Sequence, residues 1–459
     1  MSAVAGIVRY RPVLRAALLG ALLLPSCRPT EKDRIALVGA TVIDGRGVHP
    51  LPDQVVVVYH GKIETITARE GFEIPKTAVQ LDVRGRWIIP GLIDAHAHTA
   101  RWSLTRYLSF GVTTVRDVHG QQDSILALRE QANLAGVLSP RIFSAGAMID
   151  GVPATYPDAT PVSTEDEARR AVDQKAVAGV DYLKIYTKVT PNLLRAIMDE
   201  AASFHLRVTA HLGLTDAVTA ANLGVRGIEH MSGVPEAASR DATKFYAAHR
   251  EGFFKGWTFF ERSWAGLDSA ALDRVAKQLA EYRVIVIPTL VLHDTFSRLD
   301  DPAVLNNPEL HAVPDSELTR WNVPGMVARA GWTEADYLAF RAARPVQDLF
   351  LREFRSAGGM IAAGTDAANQ LLVPGASEQR ELELLVDAGL TPSDALAAAT
   401  RNGAILLGAD SLGILAPGKA ADLVVLGGDP LADIHNIRKV ERVMVRGFIV
   451  SADSLRAAW

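Results

Sequence analysis

One cysteine, Cys27, occurs in the 459-residue chain. A disulfide within the chain is therefore excluded, and stability has to come from burial. Positive charge is also lacking in excess. The 48 Lys and Arg against 52 Asp and Glu leave a formal net charge of −4. That excludes the basic footprint which nucleic-acid binding needs. The apolar run near the N-terminus, residues 16–24, is too short to span a bilayer. No glycine-rich phosphate turn follows the first strand-like run, which counts against a doubly wound nucleotide-binding sheet. Nor is there a nucleophile elbow or a Ser-His-Asp pattern. What remains is a globular composition, 48% hydrophobic and 22% charged, with length for one large domain and a smaller one.

Residues 1–26 carry Arg9, Arg11 and Arg15 and no acid, followed by the apolar run. A positive region before a short apolar one reads as an export signal. It ends in Leu24-Pro25-Ser26-Cys27, which resembles a bacterial lipobox. The expectation is a lipoprotein signal peptide over 1–26 and a lipidated tail over 27–34 starting at Cys27. The mature protein would then be exported and membrane-anchored on the bacterial cell envelope, at its periplasmic or outer-membrane face. An ordinary signal peptide with an incidental cysteine is the alternative.

The stretch Pro90-Gly91-Leu92-Ile93-Asp94-Ala95-His96-Ala97-His98-Thr99 organises the rest. The apolar run 86–89 reads as a strand leading into it. Side chains two apart on a strand share a face, so His96 and His98 form a pincer suited to a transition metal such as zinc. A bare His-x-His also arises by chance on surfaces. What gives it weight is a repeated pattern of β-branched runs ending in polar residues. These are 111–117, 140–144, 180–185, 206–211, 225–230, 284–289 and 360–366, mostly followed by alanine-rich helical stretches. With the His96 strand they make eight. Eight buried strands alternating with helices predict a (β/α)8 TIM-like barrel over 90–411, its active site at the C-terminal strand ends. Valine- and isoleucine-rich runs at both ends, 35–89 and 412–455, predict a small β-sandwich domain built from both termini. Thr391-Pro392-Ser393-Asp394 caps a helix expected over 395–407. The long gaps 231–281 and 291–357 follow barrel strands and should overhang the mouth.

The strand ends carry His96, His98, Lys184, His211, His230 and Asp366. This set, with Gly364-Thr365-Asp366 and the closing segment 413–424, resembles the amidohydrolase superfamily over about 35–449. The segment Tyr182-Leu183-Lys184-Ile185 resembles its imidazolonepropionase-like and Xaa-Pro dipeptidase (prolidase) branch. That resemblance implies two divalent ions, zinc being the first choice, with carboxylated Lys184 bridging them. By the same resemblance His96, His98 and Asp366 hold one ion, His211 and His230 the other, and Asp366 is the catalytic base. The chemistry agrees, since an ammonium at a metal site repels the cation and offers no acceptor, whereas a carbamate supplies anionic oxygens. The competing reading of Lys184 is a cation that neutralises an acid at the barrel mouth. His119, Tyr156, Tyr186 and His293 are candidate substrate contacts, as is Arg116.

The expected activity is metal-dependent hydrolysis of an amide or peptide C–N bond in a small molecule, such as a dipeptide or N-acyl amino acid. Hydrolysis of an ester, lactone or carbamate on the same site is one alternative. A catalytically silent surface binding lipoprotein is another. A deaminase fits less well, because that branch typically uses one metal and lacks the lysine.

Overall fold

The computed structural model describes residues 34–47, 49–134 and 136–459. The export signal 1–26 and the proposed lipidation site Cys27 lie outside the described residues.

Both chain ends enter one hydrogen-bonded sheet of eight strands among the described residues. Its centre is Trp87–Pro90, paired antiparallel with Leu423–Leu426 and parallel with Ile35–Val42. The sheet alternates as a strand must. Leu423 and Val425 face a cluster with Val56, Val58, Ile63 and Met444, while Val424 and Leu426 face the main core. Valines from one end thus pack on residues from the other, and Ile63 donates its N–H to the Lys419 carbonyl at 2.9 Å. Strands from both ends thus share one hydrogen-bonded sheet, as the small β domain expected from the two ends requires; the pairing does not by itself show the two layers of a sandwich.

The run 86–89, read as leading directly to the histidines, belongs to this end sheet. A separate strand, Leu92–Ala97, carries His96. Gly91 is the junction, where the chain passes so close to Thr113 that a Cβ would lie 2.0 Å from its hydroxyl. Only glycine fits there.

The remaining strands are parallel. Leu92–Ala97, Val112–Asp117 and Arg141–Ser144 form one sheet of three. A seven-stranded sheet contains Leu183–Ile185, Val208–Ala210, Gly227–Glu229, Ile285–Ile287 and Met360–Ile361 in spatial order. Two further strands, Ile149–Gly151 and Thr160–Val162, extend it beyond Leu183–Ile185. Backbone hydrogen bonds join the two sheets at both seams: Asp181 N to Ser144 O at 2.9 Å, and Ala95 N to Ala363 O at 2.9 Å. This mixed α/β arrangement is consistent with a TIM-like barrel. Every strand-like run of the central region coincides with one of these strands.

The helix expected over 395–407 starts at Pro392, capped by the Thr391 hydroxyl accepting from the Asp394 N–H. It is interrupted by a π turn, Ala398–Asn402. At the start of that turn the Ala398 carbonyl accepts from Ala363 N at 3.1 Å, two residues beyond the last strand. That contact ties the helix to the backbone carrying Gly364, Thr365 and Asp366. Both long gaps are helical. Residues 231–281 hold Val234–Ala238, Thr243–Glu251, Phe253–Ser263 and Ser269–Glu281. Residues 291–357 include Val323–Ala330 and the long helix Glu334–Ser356.

Candidate metal centre and active site

His96, His98, Lys184, His211, His230 and Asp366 all line one cavity of about 590 Å³. They come from five different strand ends, so convergence is a property of the parallel sheet. His96, His98 and Asp366 bring one ligand atom each within 4.8 Å of one another. Nε2 of His96 and Nε2 of His98 lie 3.0 and 2.9 Å from the same Asp366 oxygen. The His230 ring is 4.4 Å from His96 and 4.6 Å from His211, centroid to centroid.

Three of the histidines are oriented by a partner on the far nitrogen. Nδ1–H of His96 donates to Glu229 at 2.6 Å, and Nδ1–H of His98 donates to the His119 carbonyl at 3.1 Å. The Thr289 hydroxyl donates to Pro288 O, so it accepts from His230 Nδ1–H, 2.7 Å away. Each partner holds Nδ1 and so turns Nε2 toward the cluster of candidate ligands. Burial, with Lys184 and neighbouring imidazoles, holds His211 and His230 far below the usual histidine range. Neutral imidazole is the form that ligates.

Lys184 is 2% exposed, and its Nζ has no hydrogen-bond partner. Glu229 lies 3.7 Å away, beyond hydrogen-bond reach. Burial lowers the Lys184 amine to about 8, partly offset by Glu229. A buried amine without a hydrogen-bond partner, lining the cavity with four histidines and a carboxylate, fits a site built for divalent ions better than one built for an isolated ammonium. The donor set therefore fits divalent ions.

The backbone is strained where it presents these groups. His230, Thr289 and Asp366 have φ of +58°, +49° and +65°. Such left-handed conformations in non-glycine residues cost on the order of 1–3 kcal/mol each and gather at functional sites. Gly364 makes the Asp366 turn possible, since a Cβ there would approach His96 to 2.8 Å.

A layer of buried charge beneath the site was not singled out from the sequence. Glu229, fully buried, accepts from Arg116, His96 and Thr209. Burial would raise its carboxyl, but Arg116, Lys184 and His96 together hold it well below the carboxylate range. Asp94 accepts from the backbone N–H of His96 and Thr365 at 3.1 Å each and from the Thr365 hydroxyl at 2.6 Å. It ties the first strand to the last, and burial pushes it up to about 7. The available signal was a charge inside an apolar strand run. Arg116, Lys184 and Glu229 all break such runs and have to meet in the interior. Replacing Glu229 with alanine should destabilise the protein by about 3–5 kcal/mol in urea unfolding, because Arg116 would be left buried and unpaired.

Of the candidate substrate contacts, His119, Tyr156 and Tyr186 line the cavity. His293 does not. It stacks behind Trp257 at 5.4 Å and pairs with Glu261 at 2.5 Å, so a ring separates it from the cavity. Arg116 is corrected as well, being 2% exposed and held beneath the site by Glu229 and Ala95 O. Both insertions reach the mouth, the first through Phe253, Phe254 and Trp257, the second through Leu292, Phe296, Met326 and Arg329. Of the other aromatics of the first insertion, Phe245 packs on Phe259 at 4.9 Å and Trp264 on Phe350 of the second insertion at 6.2 Å.

The sequence model of the amidohydrolase family matches residues 87–450, most of the chain. The chain belongs to the amidohydrolase family. Among curated amidohydrolases it is 26% identical to the imidazolonepropionase of Cereibacter sphaeroides over 412 residues, 86% of this chain and 93% of that one. Identity to the imidazolonepropionase of Deinococcus radiodurans is 23% over 406 residues, covering 84% and 88%. A solved prolidase complexed with N-methylphosphonate-L-proline superposes with a TM-score of 0.66 at 24% identity, covering 91% of this amidohydrolase and 99% of that chain. Bottromycin amidohydrolase superposes with a TM-score of 0.72 at 22% identity, covering 94% and 90%. At these identities the superpositions establish the shared fold. Together the relatives match the imidazolonepropionase and prolidase branch.

Proposed function

We propose that this amidohydrolase is a binuclear metal-dependent hydrolase of an amide or peptide C–N bond in a small molecule, a dipeptide or N-acyl amino acid. The observation that carries the reading is the buried Lys184 amine, without a hydrogen-bond partner, lining one cavity with His96, His98, His211, His230 and Asp366. The names of the imidazolonepropionase and prolidase relatives point to the same C–N chemistry. His96, His98 and Asp366 would hold one ion, His211 and His230 the other, and carboxylated Lys184 would bridge them. Ions held there would supply polarisation of the scissile carbonyl and a lowered pKa for the attacking water. Asp366 stays ionised, because the His96 and His98 contacts outweigh the burial that would raise it. It is thereby ready to take the water's proton and pass it to the leaving nitrogen. The left-handed backbone at Asp366 aims that carboxylate into the cavity.

The purified protein should contain close to two divalent ions per chain. It should turn over members of a panel of dipeptides, N-acyl amino acids and aryl amides. Active protein with one ion would refute the binuclear site. Turnover of esters or lactones alone would refute the amide assignment.

The reading extends to domain layout and location. The catalytic unit would span 90–411, with 35–89 and 412–455 as the supporting β unit and Cys27 carrying a lipid anchor to the cell envelope. Among the described residues no helix is long and apolar enough to cross a membrane. Cys27→Ala should stay unprocessed or leave the membrane fraction, whereas normal maturation and attachment would refute the anchor.

A further inference from the structure

Far from the catalytic cavity, one surface loop carries its polar groups inward and its apolar ones outward. Residues 132–140 hold no charged side chain. Their backbone is clamped from within: the Arg446 guanidinium donates to Ala132 O at 3.0 Å, to Ser139 O at 2.8 Å and to the Asn133 side-chain oxygen at 3.0 Å. Leu134, Val137 and Leu138 are left 60%, 38% and 40% exposed. Phe448, also exposed, lies on the hairpin whose turn supplies Arg446. Apolar residues exposed singly are ordinary, but three within five residues on a clamped loop, with a fourth on the clamping hairpin, make a patch.

The patch lies at the end of the sheet where the described chain begins. The Arg34 guanidinium sits 4.1 Å over the Tyr59 ring, and Tyr59 pairs with Lys62 across the turn His60-Gly61. That turn packs on Arg446-Gly447: a Cβ on Gly61 would lie 2.8 Å from Arg446 O, and one on Gly447 would lie 2.7 Å from Gly61 Cα. Arg446 then reaches the loop, so a short run of direct contacts leads from Arg34 to the patch. Residues 27–33 precede Arg34. Fully extended, a segment of that length spans at most about 25 Å. A lipid on Cys27 would therefore keep this end of the molecule beside the bilayer. The cavity is at the opposite end of the strands. Pro140 enters Arg141–Ser144 at its N-terminal end, whereas Val118, His119 and Met148 of the cavity lining follow C-terminal strand ends.

We propose that the loop 132–140 and the Phe448 hairpin form a membrane-docking surface: Leu134, Val137, Leu138 and Phe448 enter the lipid interface, and the catalytic cavity opens away from it to the aqueous side. Apolar side chains seated in the interface add a second attachment to a lipid anchor, and two attachments fix an orientation that one tether leaves open. The occupant is lipid because the tether holds the bilayer within reach of the patch at high effective concentration. The inference rests on the proposed anchor at Cys27, and it specifies which face of the protein meets the membrane.

The test uses the full-length protein, expressed with its own export signal, carrying Val137→Cys or Phe448→Cys on the patch or Leu338→Cys as a control. Leu338 is an equally exposed apolar residue near the start of the helix Glu334–Ser356, whose far end leads into the strand Met360–Ile361 from its N-terminal side. Each new thiol receives an environment-sensitive fluorophore. The protein is reconstituted in vesicles of phosphatidylethanolamine and phosphatidylglycerol with nitroxides on their acyl chains. Labels at 137 and 448 should shift to the blue and lose at least about half their emission, as groups seated roughly 5–10 Å into the interface do, and the label at 338 should do neither. The unvaried protein, treated in parallel, reports any label on Cys27 itself. Unquenched labels at 137 and 448 in membrane-attached protein overturn the inference and leave the anchor standing. Equal quenching at 338 overturns the orientation. A blue shift without quenching by the nitroxides means that a second copy or another segment of this chain covers the patch, and overturns it too. Recovery of the protein in the soluble fraction, or a label on Cys27, fails the anchor reading. The released protein is then added to the same vesicles, where quenching at 137 and 448 upholds the docking surface and its absence overturns it.

Discussion

Asp366→Asn should fold, keep at least the ion assigned to His211 and His230, and lose roughly two to four powers of ten in kcat. The two roles given to this side chain separate under that substitution. Asparagine keeps the size and one carbonyl oxygen, so the contact with Nε2 of His96 and His98, 3.0 and 2.9 Å away, is weakened rather than erased. It cannot accept a proton at the operating pH, so the base function goes. Folding is expected to survive because the backbone at 366 is held independently of the carboxylate. Asp366 N and Thr365 N both donate to the His96 carbonyl, at 2.7 and 3.1 Å, and Asp94 anchors Thr365 from beneath. Asparagine also tolerates the left-handed φ of +65° better than most residues. The acidic limb of the pH–rate profile should flatten if Asp366 sets it. A near wild-type kcat would mean that Asp366 is neither base nor essential ligand, and the mechanism would have to be abandoned.

Lys184→Ala should cost more than about 100-fold in activity, a loss already typical of groups that merely support a metal ligand. Metal content should fall with it, since the two ions would lose their shared anion. The gap left by the side chain is buried and polar-lined, beside Glu229 and the histidines. A short carboxylic acid in the buffer should therefore enter and restore part of the turnover, which no ammonium-based role of Lys184 predicts. Retention of full activity and metal content would refute the bridge. Rescue by a short alkylamine in place of the acid would identify Lys184 as a cation paired with Glu229. Circular dichroism before kinetics separates both outcomes from simple unfolding.

Much was determined by the chain read locally. The alternation of β-branched runs with alanine-rich helices needs only side-chain periodicity, and it marked the eight strand runs and the polar residues that end them. His96 and His98 share a face because strand side chains repeat every two residues, and both do reach Asp366. Thr391-Pro392 capped its helix because capping is a bond between residues three apart.

What depended on partners far along the chain was not legible. The end strands could be recognised, but which of them pair across the chain, as Trp87–Pro90 does with Leu423–Leu426, is set by the tertiary fold. His293 is a plausible contact by its position after a strand, yet Trp257 intervenes, and nothing near residue 293 encodes that. Glu229 stands next to His230 in sequence, but its task comes from Arg116, 113 residues away, and from His96, 133 residues away. A buried carboxylate has to find its cations in the tertiary fold, because burying it alone is too costly. Local rules place ligand-type residues on strand ends; only the closed run of parallel strands decides which of them face one another.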